Sequence, residues 1–366
     1  MNSIQSFPLI FDGHNDTVQQ LATGERNFFE RSERGHVDYP RALEGRLGGA
    51  MFALFIRPQG MLAAIQQAIA EGRDTYAAAV AWDNAYHGKP ERESIPPLEY
   101  SQAATLTQLG TLLKLEPASD GRVHIARTAE EVECGFSTGT FQIVLHLEGA
   151  EALDADGNAL AVLHAAGVRS VGLVHSRSNI FGHGVFGVRG GSPDTGEGLT
   201  DAGKQLVRDL NRYRMIIDLA HLNLRGFWDV ASISDAPLVA THSNAWALAP
   251  SMRNLTDDQL AVIAATKGLV GVNVHVAMLR SDSQRNRDTP ISLIADHIDY
   301  LVDKLGIDGV AIGTDFDGAT TPSELDDVTG FPKLMQVLRD RGYRDEDLVK
   351  IAHQNWIRIM RATWGA

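Results

Sequence analysis

The sequence predicts an α/β fold, a (β/α)8 TIM-like barrel with helical insertions, and three observations support this prediction. Eight short apolar runs bounded by Gly, Pro, Asp or Asn recur along the 366 residues. Helical patterns fall between them, as in a barrel whose parallel strands are joined by right-handed crossovers. Hydrophobic residues make up 44% of the chain and charged residues 22%, which is the balance of a globular protein with a sizeable core.

The apolar runs are predicted to be strands, and the periodic segments between them helices. Nearly continuous β-branched and apolar residues are typical of parallel strands that are buried on both faces. The predicted strands are Leu9–Asp12, Ala50–Ile56, Gln142–Leu147, Ser170–His175, Met215–Leu219, Leu238–Thr241, Leu269–Val274 and Val310–Gly313. The predicted helices are Met61–His87, Leu98–Leu115, Thr200–Arg212, Leu224–Ser234, Thr256–Thr266, Ile291–Leu305 and Arg344–Arg361.

We expect one domain over residues 1–366, because the long segment from Gly60 to Phe141 is interpreted as helical excursions from the barrel. Two stretches rich in polar residues and glycine, Gly182–Gly198 and Ser281–Asp288, are predicted to be loops. Residues 182–187 formally match a GxGxxG pattern. A dinucleotide site requires a helix directly after such a pattern, and none is predicted there, so we do not infer one.

Charge and cysteine content argue against several classes of protein. The chain has 33 Lys and Arg against 46 Asp and Glu, a net charge of −13, which disfavours binding to nucleic acid. Its single cysteine, Cys134, cannot form an intrachain disulfide. We find no signal-peptide pattern and no apolar run of bilayer length, so we expect a cytoplasmic protein that does not act at a membrane. Barrel enzymes often dimerise, but the sequence does not decide whether this chain forms a homodimer.

Imidazole and carboxylate side chains follow the predicted strands at their carboxyl ends, where the active sites of barrel enzymes lie. His14 and Asp16 follow the first strand, and their spacing of two places them on one side of an extended chain. Glu148 follows the third strand, His221 the fifth and His242 the sixth. Nitrogen and oxygen ligands of this kind suit zinc or a similar divalent metal. Five ligands exceed the needs of one open catalytic zinc, so they indicate two metals that share a carboxylate.

Other residues near the strand ends have two interpretations from spacing alone. His175 ends the fourth predicted strand and could equally be a packed histidine of the barrel core. Arg253 would by itself be interpreted as part of a surface ion pair. Asp315 follows the eighth strand. His146 lies two residues before Glu148, so the two side chains point to the same side of the extended chain, and we expect His146 in the core or behind the ligands.

The motifs at the strand ends jointly resemble those of the membrane (renal) dipeptidase family, a metal-dependent branch of the amidohydrolase superfamily. The matching stretches are Phe11–Thr17, His146–Leu153, Ile217–His221, Thr241–Ala245, Arg253–Asp257, Ala295–His297 and Gly313–Gly318. Because they run from the first predicted strand to the last, the resemblance covers nearly the whole chain.

The resemblance implies a zinc metallopeptidase, a hydrolase that cleaves small dipeptides of L,L or L,D configuration. His14 and Asp16 would bind one Zn²⁺ and His221 and His242 the second. Glu148 and a hydroxide would bridge the two ions, and the hydroxide would attack the scissile amide carbonyl.

The resemblance also implies roles for three further residues. His175 would contact the substrate carbonyl and stabilise the oxyanion, and Asp315 would carry a proton from the attacking water to the leaving amine. Arg253 would bind the C-terminal carboxylate of the dipeptide, which a guanidinium does through two parallel hydrogen bonds.

Two alternatives remain at this stage. The chain could be another metal-dependent amidohydrolase that acts on a cyclic amide, a lactone or a phosphoester. It could also be a barrel that has lost catalysis and only binds a ligand, although the intact ligand set and Asp315 argue against this. The preferred side chains of the substrate are left undecided, and so are the roles of Arg177, His183, Trp246 and His275.

Overall fold

The predicted (β/α)8 barrel is confirmed by the structure, a computed structural model that describes residues 7–86, 89–185 and 191–365. All strand pairs are parallel, and the sheet runs in the order β1-β2-β4-β5-β6-β7-β8-β9, with β3 beside β4 and off this path. The strands are β1 (Ile10–Asn15), β2 (Leu47–Leu54), β3 (Val123–Ile125), β4 (Phe141–Glu148), β5 (Val168–Gly172), β6 (Ile216–Asp218), β7 (Val239–Ala240), β8 (Leu269–Val272) and β9 (Val310–Ile312).

Helices occupy most connections between these strands, and they extend the predicted set. They are α1 (Thr17–Ala22), α2 (Tyr39–Glu44), α3 (Gln59–Ala70), α4 (Thr75–Tyr86), α5 (Pro90–Glu93), α6 (Leu98–Ala118), α7 (Ala129–Thr138), α8 (Asn158–Ala166), α9 (Asp201–Arg212), α10 (Leu224–Ile233), α11 (Asp257–Ala265), α12 (Val276–Leu279), α13 (Ser292–Leu305), α14 (Phe331–Asp340), α15 (Asp345–Val349) and α16 (Asn355–Trp364). A short π-helical segment, Lys350–Gln354, joins the last two.

The predicted boundaries need correction at several places. The first strand extends to Asn15 rather than Asp12, so His14 lies within β1 instead of after it, and the second strand begins at Leu47 rather than Ala50. The single helix Met61–His87 is two helices, because Gly72 adopts a left-handed φ of 66° between them, and His87 lies outside the described residues. The predicted helix Arg344–Arg361 is divided by the π-helical segment and ends later. The predicted strand Ser170–His175 ends at Gly172, which leaves His175 in the following loop. Strand β3 was not predicted at all.

The two predicted loops have the expected character where they are described. Ser281–Asp288 contains neither helix nor strand. In Gly182–Gly198 the described residues likewise form no helix or strand, and residues 186–190 lie outside the described part. The second half of the GxGxxG pattern falls there, so the absence of a helix directly after it remains a prediction.

The first strand, β1, and the last strand, β9, come together next to the candidate ligands. The backbone N–H of Asp16 donates to the carbonyl of Phe316 at 2.8 Å, and that of Asp315 donates to the carbonyl of His14 at 3.0 Å. These bonds join the loop after β9 to the end of β1. Because the segments that follow the first and last strands are linked directly, residues from both ends of the chain share one site.

The inside of the barrel is filled by apolar side chains at the opposite end from the ligands. Phe11, Met51, Val144 and Ile216 pack there with Trp356 of α16. The indole N–H of Trp356 donates to the carbonyl of Ile312 at 2.8 Å, which satisfies the one polar atom of this buried ring. The core therefore closes one end and leaves the carboxyl ends of the strands for polar groups. None of the described helices combines the length and the apolar character that crossing a bilayer requires.

Candidate active site

The predicted metal ligands converge around one carboxylate oxygen. Glu148 is the last residue of β4, and its Oε1 lies 2.9 Å from His221 Nε2. The same oxygen is 3.5 Å from His14 Nε2 and 3.6 Å from His242 Nε2. His14 Nε2 is in turn 3.5 Å from Asp16 Oδ1. Residues separated by more than two hundred positions thus form one buried cluster at the barrel mouth.

Three groups of side chains, two of which share His14, have ligand atoms within 4.8 Å of one another, close enough to hold a metal ion. The first group joins His14 and Asp16, as predicted, and adds Asp315. The other two groups differ from the prediction, which paired His221 with His242: one is Glu148, His175 and His221, and the other is His14, Asp218 and His242.

Buried polar atoms without hydrogen-bond partners mark the cluster as a place for a cation. In the described part of the chain, both ring nitrogens of His14 lack a hydrogen-bond partner, as do Asp16 Oδ1, Glu148 Oε2 and His221 Nδ1. Leaving such a group unsatisfied costs about 1–3 kcal/mol, so a cluster of them in a native core demands a physical explanation. Imidazole nitrogens and carboxylate oxygens together are the donors that borderline divalent metals prefer. The residues present therefore fit a divalent metal.

The imidazoles of the cluster are in the form that binds metals. Burial lowers the pKa of His14 to about 4, and burial with neighbouring positive charge lowers the pKa values of His175, His221 and His242 well below the usual range. Each ring is consequently neutral near pH 7, and a neutral imidazole offers the lone pair that a metal requires.

The carboxylates of the cluster repel one another electrostatically. Burial, reinforced by the nearby carboxylates of Asp16 and Asp315, raises the pKa of Glu148 well above its ordinary value. Burial raises the pKa of Asp16 to about 7, and burial with the Asp16 charge raises that of Asp315 to about 6. A divalent cation among these groups would favour their ionised forms and remove the mutual repulsion.

Asp315 and His175 both stand at the edge of the cluster. Asn273 Nδ2 donates to Asp315 Oδ2 at 3.0 Å and orients that carboxyl. His175 lies in the loop after β5, where its side chain keeps 23% of its exposure and its Nε2 is 3.9 Å from Glu148 Oε1. A partly exposed ring at the mouth is not the packed core histidine that was the alternative interpretation.

Arg253 is buried beside the ligands rather than paired at the surface. Only 4% of the residue is exposed, and its Nη2 lies 3.1 Å from His221 Nε2. Its Nη1 has no hydrogen-bond partner, and no carboxylate lies within 4.0 Å of the guanidinium in the described residues. Burial lowers the pKa of Arg253, while the charges of Asp315 and Glu148 oppose that shift. The surface ion pair is therefore excluded, and the guanidinium keeps one N–H donor group, Nη1, without a hydrogen-bond partner among the described residues.

Two buried aspartates, which were not predicted from the sequence, hold in place the loops that carry candidate site residues. Asp12 accepts from the N–H and the hydroxyl of Thr314, both at 2.7 Å, and so fixes the residue before Asp315. Asp218 accepts in the same way from Thr241, which precedes His242. The recurrence of Thr directly before a candidate site residue is the signal in the sequence that could have found this pairing.

His146 lies behind the ligands, as expected. Its ring is fully buried, its Nδ1 is 2.9 Å from Ser170 Oγ, and its Nε2 is 3.5 Å from Asp218 Oδ2. It stands edge-on to His14, with 5.4 Å between the ring centroids.

The four residues of undecided role, Arg177, His183, Trp246 and His275, have different surroundings. His275 is buried and caps α12, with Nδ1 accepting from the N–H of Ala277 at 3.1 Å. Trp246 is exposed, with its indole N–H 3.3 Å from the carbonyl oxygen of Gly191, and His183 contacts Ser178. Arg177 lines a cavity that also reaches Asp16 and His175.

Comparisons with known proteins agree with this geometry. The model of the membrane dipeptidase family, peptidase family M19, matches residues 1–364. A metallopeptidase of Rhodobacter sphaeroides, solved with a phosphinate mimic of the dipeptide L-Ala-D-Ala, superposes with a TM-score of 0.88 at 42% identity, covering 98% of this chain and 100% of that one. A second solved structure, the dipeptidase AC of family M19, gives a TM-score of 0.87 at 41% identity, with the same shares covered.

A sequence relative extends the comparison beyond solved structures. An uncharacterized protein in the pqqA 5′ region of Klebsiella pneumoniae is 46% identical over 257 residues, which are 70% of this chain and 95% of that protein. The family model spans all the strands of the barrel and every residue of the ligand cluster. On this evidence the chain belongs to the membrane dipeptidase family, peptidase family M19.

Proposed function

We propose that this protein is a dipeptidase that works with two divalent metal ions, Zn²⁺ or a similar metal. The observation that carries the proposal is the convergence of His14, Glu148, His221 and His242, with Asp16 beside His14, around one buried carboxylate oxygen. Family membership makes dipeptides the substrate class. The number of ions, their identity and the roles below are our proposals.

The ligands divide between two ions in the proposed arrangement. His14 and Asp16 would hold one ion, His221 and His242 the other, and Glu148 would be shared. The unpartnered nitrogens and oxygens of His14, Asp16, Glu148 and His221 support the presence of metal at these side chains. When bound, the ions would lower the pKa of a shared water to near 7 and so supply the hydroxide that attacks the amide carbonyl.

Three residues of the chain would bind the substrate and move the proton. Arg253 would bind the C-terminal carboxylate with its Nη1 group, which has no hydrogen-bond partner among the described residues. His175 would donate a hydrogen bond to the oxygen of the scissile carbonyl as negative charge develops there. Asp315, whose carboxyl is held beside the ligand cluster by Asn273, would take a proton from the attacking water and return it to the leaving amine.

We further propose that both L,L- and L,D-dipeptides are substrates. The Rhodobacter sphaeroides relative binds a mimic of L-Ala-D-Ala, and it is 42% identical to this chain.

The chain is proposed to be one domain, since the strands β2 and β4 that flank the helical insertion pair with each other directly. A cytoplasmic location stays a prediction from the sequence.

Arg253→Met tests the proposed function against the alternative of a cyclic amide, lactone or phosphoester substrate. The wild-type enzyme should hydrolyse L-Ala-D-Ala and should lose about 10- to 150-fold in kcat/KM when the C-terminal carboxylate is replaced by an amide, since a hydrogen bond to a charged group contributes about 1.5–3 kcal/mol. In Arg253→Met the acid and the amide should be hydrolysed with similar kcat/KM.

The control for this experiment is the metal content of both proteins, because Arg253 adjoins His221. With equal metal content, an unchanged preference for the acid in Arg253→Met would refute the clamp. Hydrolysis of a dihydropyrimidine or lactone in the absence of any dipeptide hydrolysis would favour the alternative substrate class.

A further inference from the structure

A cavity beside the ligand cluster has four arginines in its wall. Its volume is about 200 Å³, and it opens next to Asp16 and His175. The arginines are Arg57, Arg92, Arg177 and Arg285. The chain as a whole carries a net charge of −13, so this concentration of positive charge does not follow from composition.

The carboxylates that line the same cavity are already engaged. Asp83 Oδ1 accepts from Arg92 Nε at 2.5 Å. Asp317 accepts from Arg26 Nη2 and from Thr17 Oγ1, both at 2.7 Å. Asp16 is a proposed metal ligand. Asp16 and Asp317 therefore act on Arg57 only electrostatically, across more than 4.0 Å.

Two of these arginines have no acidic partner. Neither Arg57 nor Arg285 has a carboxylate within 4.0 Å in the described part of the chain. Arg57 is half-buried and lies over the ring of Phe55, with 5.5 Å between its Cζ and the ring centroid. Arg285 is exposed at the rim. Both cations can therefore receive an anion that enters the cavity.

Arg177 is held rigidly in the cavity wall. Only 4% of the residue is exposed, and its Nη2 donates to the carbonyl of Ile56 at 2.7 Å. The nearest carboxylate oxygen, Glu151 Oε1, is 3.7 Å away, beyond a direct hydrogen bond. Arg177 Nε has no hydrogen-bond partner among the described residues. Arg177 therefore keeps a buried donor without an acceptor, beside a carboxylate, Glu151, whose oxygens are also unpartnered.

The position of the cavity assigns it to one end of the substrate. Arg253 contacts His221 and does not line this cavity. A dipeptide whose C-terminal carboxylate is bound at Arg253, and whose amide lies at the ligand cluster, directs its N-terminal residue towards Asp16 and His175. The side chain of that residue then meets the arginines.

We infer that this cavity binds the side chain of the N-terminal residue and selects an acidic one, aspartate or glutamate. The inference rests on the proposed dipeptidase function and narrows its substrate class. Guanidinium groups recognise carboxylates through charge-assisted, often bidentate, hydrogen bonds. A lysine side chain would instead bring a cation into a cavity that already has unpaired cations.

Three dipeptides with a common C-terminal residue, Glu-Ala, Gln-Ala and Lys-Ala, test this preference in the metal-loaded wild-type enzyme. Their α-amino groups and C-terminal carboxylates are identical, so only the N-terminal side chain differs. We expect kcat/KM for Glu-Ala to exceed that for Gln-Ala by about tenfold or more, in line with a hydrogen bond to a charged group, and Lys-Ala to be the poorest substrate.

Arg57→Met and Arg285→Met should each reduce the ratio of kcat/KM between Glu-Ala and Gln-Ala. Arg208→Met is the matched control, since Arg208 is exposed on α9 and does not line the cavity. That variant should keep the wild-type ratio. Thermal unfolding and metal content verify that each variant is folded and loaded.

The outcomes separate this inference from the function on which it rests. An enzyme that hydrolyses the dipeptides with equal kcat/KM, or favours Lys-Ala, overturns the acidic preference and leaves the dipeptidase intact. Folded, loaded Arg57 and Arg285 variants that both retain the wild-type ratio would also overturn it. Failure to hydrolyse any dipeptide would refute the proposed function itself, and the inference with it.

Discussion

At the scale of single residues, the backbone and neighbouring side chains place the carboxyl group of Asp315 beside the ligand cluster. The residue adopts a left-handed φ of 65°, and Asn273 holds one of its oxygens. A Cβ at Gly318 would overlap the carboxylates of Asp315 and Asp16, so glycine is required for their close approach. Burial and the Asp16 charge raise the pKa of Asp315 to about 6, and a bound cation would lower it again.

Asp315→Asn should retain metal and lose most of its turnover. The amide has the same shape but cannot carry the proton, and general acid–base catalysis contributes about 10²- to 10⁴-fold to rate. Steady-state kinetics with L-Ala-D-Ala and metal analysis of the same sample measure both properties. Near-normal kcat would remove Asp315 from the mechanism. Loss of a metal ion would instead make it a ligand, as its proximity to His14 and Asp16 permits.

The candidate ligands could be predicted from the sequence because each lies at a strand end, which a local pattern reveals. The supporting residues could not be predicted in the same way. Asp12 binds Thr314, some three hundred positions away, and neither residue type signals a site alone. The burial of Arg253 likewise depends on the loop after β7, so spacing alone favoured the wrong environment.

At the scale of secondary structure, the barrel is narrow where β8 and β9 pass the segment after β7. A Cβ at Gly271 or Gly313 would overlap the carbonyl oxygen of Thr241, the residue before His242. Two glycines thus allow the backbones to approach closely enough to position that histidine. By contrast, a Cβ added at Gly110 in α6 would meet no neighbouring atom within 4 Å, so this glycine has no such role.

Gly271→Ala and Gly110→Ala should therefore change stability in opposite directions. The first should lower the free energy of unfolding by about 1–3 kcal/mol, the usual cost of overpacking. The second should raise it by about 0.5–1 kcal/mol, because alanine loses less backbone entropy than glycine in a helix. Chemical denaturation of both variants measures the difference. Equal stability of the Gly271 variant and the wild type would contradict the close approach.

The regular elements show which sequence signals suffice and which do not. Short, nearly continuous apolar runs predicted all eight barrel strands, whereas in β3, Val123–Ile125, His124 interrupts the apolar residues, and the strand is stabilised by its pairing with β4. The break between α3 and α4 coincides with Gly72, an isolated glycine in a helical pattern. Helix α7 begins with a capping box, Thr128 with Glu131, which is a readable signal that periodicity alone overlooked.

At the scale of the whole molecule, metal binding and protonation are linked through the buried carboxyls. In the metal-free protein the pKa values of Asp16 and Asp315 are about 7 and 6, and that of Glu148 is also raised. As the pH falls through this range these groups take up protons, which a metal must displace. His14, with a pKa of about 4, does not compete in the same range.

Zinc affinity should consequently fall as the pH decreases from about 8 to 6, and binding near pH 6.5 should release protons from the protein. The direction follows from the raised carboxyl pKa values, since a group that is protonated below pH 7 must lose its proton to become a ligand. Titration calorimetry in two buffers of different ionisation enthalpy measures the released protons. An affinity independent of pH over this range, without proton release, would contradict the linkage.

The family and the general chemistry could be predicted because the matching motifs lie at strand ends from the first strand to the last. The substrate preference could not, because the arginine-lined cavity combines residues from the segment after β2, the loop after β5 and the loop before α13. Its arginines share no spacing or motif in the sequence that would mark a common site.

The requirement for two metal ions is tested most directly by restoring zinc to chelator-stripped protein while following the hydrolysis of L-Ala-D-Ala. We expect the stripped protein to be inactive and turnover to rise until two equivalents of Zn²⁺ per chain are bound. Full turnover in the stripped protein, or a plateau at one equivalent, would contradict the proposed two-metal centre.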